Sequence, residues 1–206
     1  EVIQAHPELA RDYGWALTLT GRLSEGNAYL HQAELSAQGN EALLGSILVA
    51  FAYNLRAGGD NPKAIEVARR ALAILPQEDA LSRSLVALTL GLAYWNYGDF
   101  KESERAFAEC EQAAQKSGNQ YARMTALTYL GIIQGVFGHL HHAAELCRQV
   151  IRLGGDSPTV APAHIELGAL LYEWNDLDTA VEHLQIGIQQ SKLIGNPGIL
   201  CDGYRT

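Results

Sequence analysis

One glycine recurs along this chain at a nearly constant interval, always inside the same local pattern. The series is Gly21, Gly59, Gly98 and Gly138, spaced 38, 39 and 40 residues apart, and Asn175 takes the fifth place 37 residues later. Seven residues before each member stands a small residue: Gly14, Ala52, Gly91, Gly131 and Gly168. Five residues after each stands another: Gly26, Ala64, Ser103, Ala143 and Ala180. A repeat of this length with one helix-ending signal per period specifies stacked helix pairs, because each pair hides its apolar faces only against its neighbours. The expected fold is all-α, a superhelical array of about five antiparallel helix pairs.

The third period shows the plan. Over 81–98, Leu85, Leu88, Leu92 and Trp95 recur at steps of three and four, which is helical periodicity. Gly98-Asp99 then ends the helix, since glycine accepts the left-handed backbone that stops one. A second helix runs over 100–118 with Phe100, Phe107 and Cys110 facing inward, and Gly118-Asn119 closes it. By the same pattern the other helices fall at 7–20 and 24–37, 41–57 and 62–75, 120–137 and 140–153, and 159–174 and 177–194. Pro62 and Pro158 suit helix starts or the residues just before them. The repeats are then 6–40, 41–78, 79–118, 119–157 and 158–196, with a partial sixth from Pro197, all in one domain.

The small residues have a packing role. Two helices of a pair approach closely where one presents no side chain at the crossing. A glycine inside a helix costs about 1 kcal/mol against alanine, so its return at one phase signals packing that outweighs this cost. Gly131→Leu is therefore expected to overpack its crossing and destabilise by about 1–3 kcal/mol.

Composition narrows the function classes. The net charge is −8 and no Lys/Arg block occurs, which disfavours nucleic-acid binding by this segment. No run of 18 apolar residues is present to span a membrane. Cys110, Cys147 and Cys201 show neither metal-ligand nor disulfide spacing; Cys110 and Cys147 occupy apolar helix positions, and buried reduced thiols fit a reducing, cytoplasmic compartment. The chain begins at Glu1 and its one methionine is Met124, which reads as a processed protein or an excised fragment; the segment from Pro197 to Thr206, which reads like the start of another repeat helix, favours the fragment.

The small–x6–Gly–x4–small pattern, with an aromatic such as Phe107 four residues on, resembles the tetratricopeptide repeat (TPR), lengthened here by about one helical turn. Three stretches narrow the resemblance. Residues 7–34 look like the start of the repeat region of MalT-like regulators, 63–100 like their central repeats and 167–196 like their late ones. The run from Tyr172 to Leu177 (Tyr-Glu-Trp-Asn-Asp-Leu) is the most specific match.

Such LuxR-family, ATP-dependent transcriptional activators carry a nucleotide-binding switch, a helical-repeat sensor and a helix-turn-helix. The resemblance implies a right-handed superhelix that binds an inducer or a regulatory protein and biases self-association of the full-length protein. It implies ATP only in a preceding domain. This sequence itself has no G-x-x-x-x-G-K-[ST] phosphate loop, so no cofactor is expected in this chain. The alternative is a general TPR protein–protein scaffold with no switch attached.

In stacked pairs the first helices usually line the concave, ligand-binding side. Counting six, three and two residues back from each turn gives Trp15, Tyr53, Arg56, Trp95, Asn96, Tyr172 and Glu173 as candidate ligand contacts. Aromatics with a few polar groups suit a sugar, a small metabolite or a peptide. Trp15, Tyr53 and Trp95 also suit packing between adjacent repeats. Arg56 and Glu173 stand out because a buried charge requires a partner. Trp174 reads as apolar closure of its turn. His139, His141 and His142 read as a solvated turn and not a metal site, and His6, His31, His164 and His183 are scattered. Glu102, Glu104, Glu109 and Glu111 read as a solvated helix face. No nucleophile elbow or Cys–His constellation is present, so no enzyme activity is expected.

Overall fold

The computed structural model describes residues 6–37 and 39–194. The chain divides into two compact units, residues 1–119 and 120–206. The first contains α1 (Pro7–Leu19), α2 (Leu23–Ser36), α3 (Glu41–Ala57), α4 (Asn61–Ile74), α5 (Ala80–Tyr97) and α6 (Phe100–Ser117). The second contains α7 (Gln120–Val136), α8 (Leu140–Gly154), a 3-10 turn (Pro158–Val160), α9 (Ala161–Glu173) and α10 (Leu177–Ile194). Helices and turns make up all the regular structure of the described residues, as the sequence pattern required. The partial sixth repeat from Pro197, the Gly195-Asn196 turn and Cys201 lie outside the described residues.

Local chemistry sets the helix ends. The side chains of Asn40, Asp60, Asp79 and Asp99 accept hydrogen bonds from the backbone N–H groups of Leu43, Lys63, Ser82 and Glu102, which would otherwise be orphans of the first turn. Pro62 sits in the first turn of α4, where no N–H is needed. Pro158 opens the 3-10 turn instead of α9 itself, so α9 starts at Ala161. At the turns inside the pairs, Gly21, Gly59, Gly98 and Gly138 have φ of 80–87°. Asn175 is the one described non-glycine residue with positive φ, at 60°. Asparagine is among the few side chains that tolerate this conformation, which explains its place in the glycine series.

Each helix pair closes through a size-matched contact. A Cβ added to Gly91 would lie 2.7 Å from the Phe107 ring, and one on Gly168 would lie 2.7 Å from Leu184 Cγ. On Gly14 it would lie 2.9 Å from Leu30 Cγ, and on Gly131 3.3 Å from Cys147 Sγ. In every case the filler stands sixteen residues after the small residue. In the second pair the small position is Ala52, which has its own Cβ, and the residue sixteen on is only Ala68. For Gly131→Leu, the added side chain would meet Cys147 Sγ, the Ala143 carbonyl oxygen at 3.4 Å and Leu146 Cβ at 3.6 Å. The expected loss remains about 1–3 kcal/mol, and an unchanged melting temperature would exclude this register.

Two polar devices tie neighbouring repeats of the first unit. Buried Asn54 on α3 donates through Nδ2 to Thr18 Oγ1 (3.1 Å) and to the Leu23 carbonyl oxygen (3.0 Å) of the first pair. Arg83 on α5 donates to the Leu72 and Leu75 carbonyl oxygens at the end of α4 and pairs with Glu109 on α6 at 2.9 Å. These bonds satisfy carbonyls that a helix C-terminus leaves open and place a cation where the helix dipole favours one. Glu109 therefore belongs to an inter-helix bridge. Glu102 pairs with Arg105 one turn on, and like Glu104, Glu109 and Glu111 it is half-buried. The simple solvated-face reading of these carboxylates is corrected accordingly.

Candidate functional site

Five of the seven candidate contacts lie in the first unit. Three of them come together. The Trp15 ring of α1 meets the Tyr53 ring of α3 edge-on, with centroids 5.1 Å apart. The Arg56 guanidinium lies over the same Tyr53 ring, 5.0 Å from its centroid. All three side chains are half-buried. The Trp15–Tyr53 contact joins the first repeat to the second, so packing between repeats is part of what these aromatics do.

Arg56 is the unusual member. Its Nε is buried and has no hydrogen-bond partner. Its one contact of specific geometry is the cation–π stack on Tyr53, and no carboxylate pairs with it among the described residues. A guanidinium offers five donors in a planar fork, and here none is hydrogen-bonded among the described residues. The burial argument that singled out Arg56 and Glu173 thus applies to Arg56; Glu173 is exposed.

The remaining candidates stand apart. Trp95 is half-buried against Phe100 of its own pair, at 5.0 Å between centroids. Asn96 is exposed at the end of α5. Tyr172 and Glu173 are in the second unit, exposed at the end of α9.

A cleft that the repeat register does not mark opens beside Trp15. The first helices of the three pairs, α1, α3 and α5, lie side by side in this unit. Across them runs an open cleft of about 300 Å³. Its walls are mostly apolar, with Trp15 from α1, Val49 and Ala50 from α3, and Leu81 and Leu85 from α5. Arg11 and Ser46 line one edge, joined by a 3.0 Å hydrogen bond. Arg11 is neutralised by Asp12 at 2.7 Å. The cleft crosses the repeats at a slant. Its lining begins ten residues before the turn in the first repeat, thirteen before it in the second and seventeen before it in the third. A fixed count from each turn therefore finds Trp15 and misses Arg11, Ser46, Leu81 and Leu85.

The other chemically capable side chains resolve differently. Trp174 packs half-buried against the core of the second unit, consistent with closure of its turn, and His141 stacks on it at 4.9 Å. His139 Nδ1 is 2.7 Å from Gln134 Oε1. Glu145 pairs with Arg152 at 2.7 Å, and this hydrogen-bonded cation holds its carboxyl below the usual range. Among the described residues no group of three His, Cys, Asp or Glu is gathered for a metal ion. Burial, reinforced by neighbouring carboxylates, pushes the Cys110 and Cys147 thiols up to about 12, which leaves them unreactive. Two histidines read as scattered prove to be partners: His164 Nδ1 and His183 Nδ1 are 2.8 Å apart across α9 and α10. No helix of the described residues is long and apolar enough to cross a membrane.

This architecture has close structural counterparts. It is similar to BtubC (BKLC) from P. vanneervenii, at a TM-score of 0.74 and 16% identity over 94% of this chain and 83% of that one. It is similar to pilF of Pseudomonas aeruginosa, at 0.70 and 19% over 96% of this chain and 90% of that one. A third counterpart is MamA (41-end) from Desulfovibrio magneticus RS-1, at 0.68 and 18% over 90% and 95% of the two chains. At these identities the likeness is one of fold. TPR-like folds of this kind generally mediate protein–protein interaction and are typically non-catalytic. No curated protein matches the sequence. The family model described as the MalT-like TPR region matches residues 45–205, most of the chain including every helix from α4 onward, and the protein belongs to that family.

Proposed function

We propose that this chain is the sensing segment of a MalT-like, LuxR-family transcriptional regulator of the cytoplasm. On this reading its five repeats act as one domain that binds an inducer or a regulatory protein. Binding then controls a nucleotide-binding switch and a DNA-binding domain that this segment does not contain. The family match over residues 45–205 carries the reading. The half-buried Trp15–Tyr53–Arg56 group and the adjoining cleft support a ligand site on the first helices of the first unit. Trp95, Asn96, Tyr172 and Glu173 are proposed as further contacts on the same kind of helix end. ATP would bind outside this segment, since no phosphate loop occurs in it. The segment itself has no catalytic role and makes no contact with DNA.

The test is the gene on both sides. A phosphate-binding loop upstream and a helix-turn-helix downstream are expected. Stop codons or unrelated domains close to either end would overturn the sensor reading and favour an interaction scaffold. That second reading draws support from the fold likeness to BtubC, pilF and MamA.

A further inference from the structure

The geometry points to an elongated organic carboxylate as the ligand of the first unit. Its apolar body would lie in the cleft of Trp15, Val49, Ala50 and Leu85, and its anionic head would bind Arg56. The inference rests on the reading of this face as a ligand site, and it assigns the chemical class.

Three observations carry it. The first is alignment. Ser46, Val49, Ala50, Tyr53 and Arg56 follow one another on α3 at steps of three, one, three and three residues, so cleft and guanidinium share one stripe of a single helix. From Ser46 to Arg56 that stripe is about 15 Å long at 1.5 Å per residue. Trp15 lines the cleft and also touches Tyr53, on which Arg56 is stacked. Trp15 therefore links the cleft to the Tyr53–Arg56 pair.

The second is charge. Arg11, the cation on the cleft edge, is paired with Asp12 and bonded to Ser46. The Arg56 side chain has neither an ion pair nor a hydrogen bond among the described residues, and its Nε is sealed from solvent. A partly desolvated cation without a counter-charge favours an incoming anion, and the planar fork favours a carboxylate through two parallel bonds. A neutral sugar or an amide would leave that charge uncompensated.

The third is shape and stiffness. The cleft holds about 300 Å³, the lower end of the range for small-molecule sites. Arg56 lies over the Tyr53 ring at 5.0 Å from its centroid, so part of its side-chain freedom is already spent before a ligand binds.

The test uses 4-phenylbutanoate as probe and 4-phenylbutanamide, its uncharged isostere, as control. Two-dimensional NMR of the 206-residue chain would follow the Trp15 Nε1–H and Arg56 Nε–H signals. Both signals are expected to shift on titration with the acid. The amide is expected to bind about tenfold more weakly or worse, and Arg56→Gln to weaken the acid by a similar factor. Arg56→Lys, which keeps the charge without the fork, is expected to recover part of the loss. Arg56→Gln should melt as the parent does, which separates lost binding from lost folding. Equal binding of acid and amide, with Trp15 shifting in both, would overturn the carboxylate assignment and leave the cleft as a ligand site. No shift of either signal by either compound would overturn the assignment as well. Neither result bears on the flanking domains that decide the sensor reading.

Discussion

Phe107→Ala is expected to destabilise the first compact unit by about 3–5 kcal/mol, the range for truncating a buried phenylalanine. Phe107 is fully buried, and its ring occupies the volume that the absent Cβ of Gly91 leaves open. The surrounding groups have little freedom to collapse into the gap. Gly91 has no side chain to move, and the Ser103 hydroxyl is committed to the Gly91 carbonyl oxygen at 2.9 Å. The same geometry sets the result for the partner position. Gly91→Ala gains about 1 kcal/mol in helix propensity but forces a methyl to within 2.7 Å of an aromatic ring. Since such overpacking typically costs about 1–3 kcal/mol, the net effect is expected to be destabilising.

The diagnostic is the double variant Gly91→Ala/Phe107→Leu. If ring and glycine are complementary, Phe107→Leu costs less in the Gly91→Ala background than alone, because the smaller side chain makes room for the methyl. Denaturant midpoints of the four proteins measure this directly. Additive losses would show that the two positions do not share a contact.

How far the sequence carries the structure depends on whether a feature repeats. The turn glycines require positive φ at one phase per period, so helix ends were readable within about two residues, and Asn175 could be recognised as a glycine substitute by the same requirement. The pairing of Gly91 with Phe107 or Gly131 with Cys147 was readable in part, because small residues recur at a fixed offset. Features that occur once were not readable. Asn54 sits inside the apolar run of α3, and nothing local shows that its amide reaches Thr18 and Leu23. Arg83 occupies an ordinary helix position, and its bridge to Leu72, Leu75 and Glu109 depends on how successive pairs stack. The cleft escaped a count from the turns because it slants by about one helical turn per repeat. A register fixed to each turn follows a line parallel to the stack and cannot trace a diagonal.

The His164–His183 contact is the other feature hidden by sequence distance, and it yields the second large prediction. Both rings are shielded by α9 and α10, and their Nδ1 atoms are 2.8 Å apart. One ring must donate and the other accept, so the contact requires at least one neutral imidazole. Burial, with His183 adding to it, pushes His164 down to about 4. Burial lowers His183 too, with Arg148 reinforcing the shift and Glu182 opposing it. A histidine held neutral by the fold binds fewer protons than in the unfolded chain, where its pKa is about 6.5. The resulting stability is complete above about pH 6.5 and is lost as the pH falls toward 4. For His164 the loss over that window is about 3 kcal/mol. Trp174 is the only tryptophan of residues 120–206, so in a Trp15→Phe/Trp95→Phe background its fluorescence reports unfolding of this unit. Its denaturant midpoint is expected to fall markedly between pH 7 and pH 4.5. Carboxylates elsewhere also titrate near the lower end, so the decisive comparison is the double variant His164→Leu/His183→Leu. If the pair causes the loss, the pH dependence of that variant is flatter by about 3 kcal/mol across the window. Parallel curves for parent and variant would show that the two imidazoles carry no linked proton.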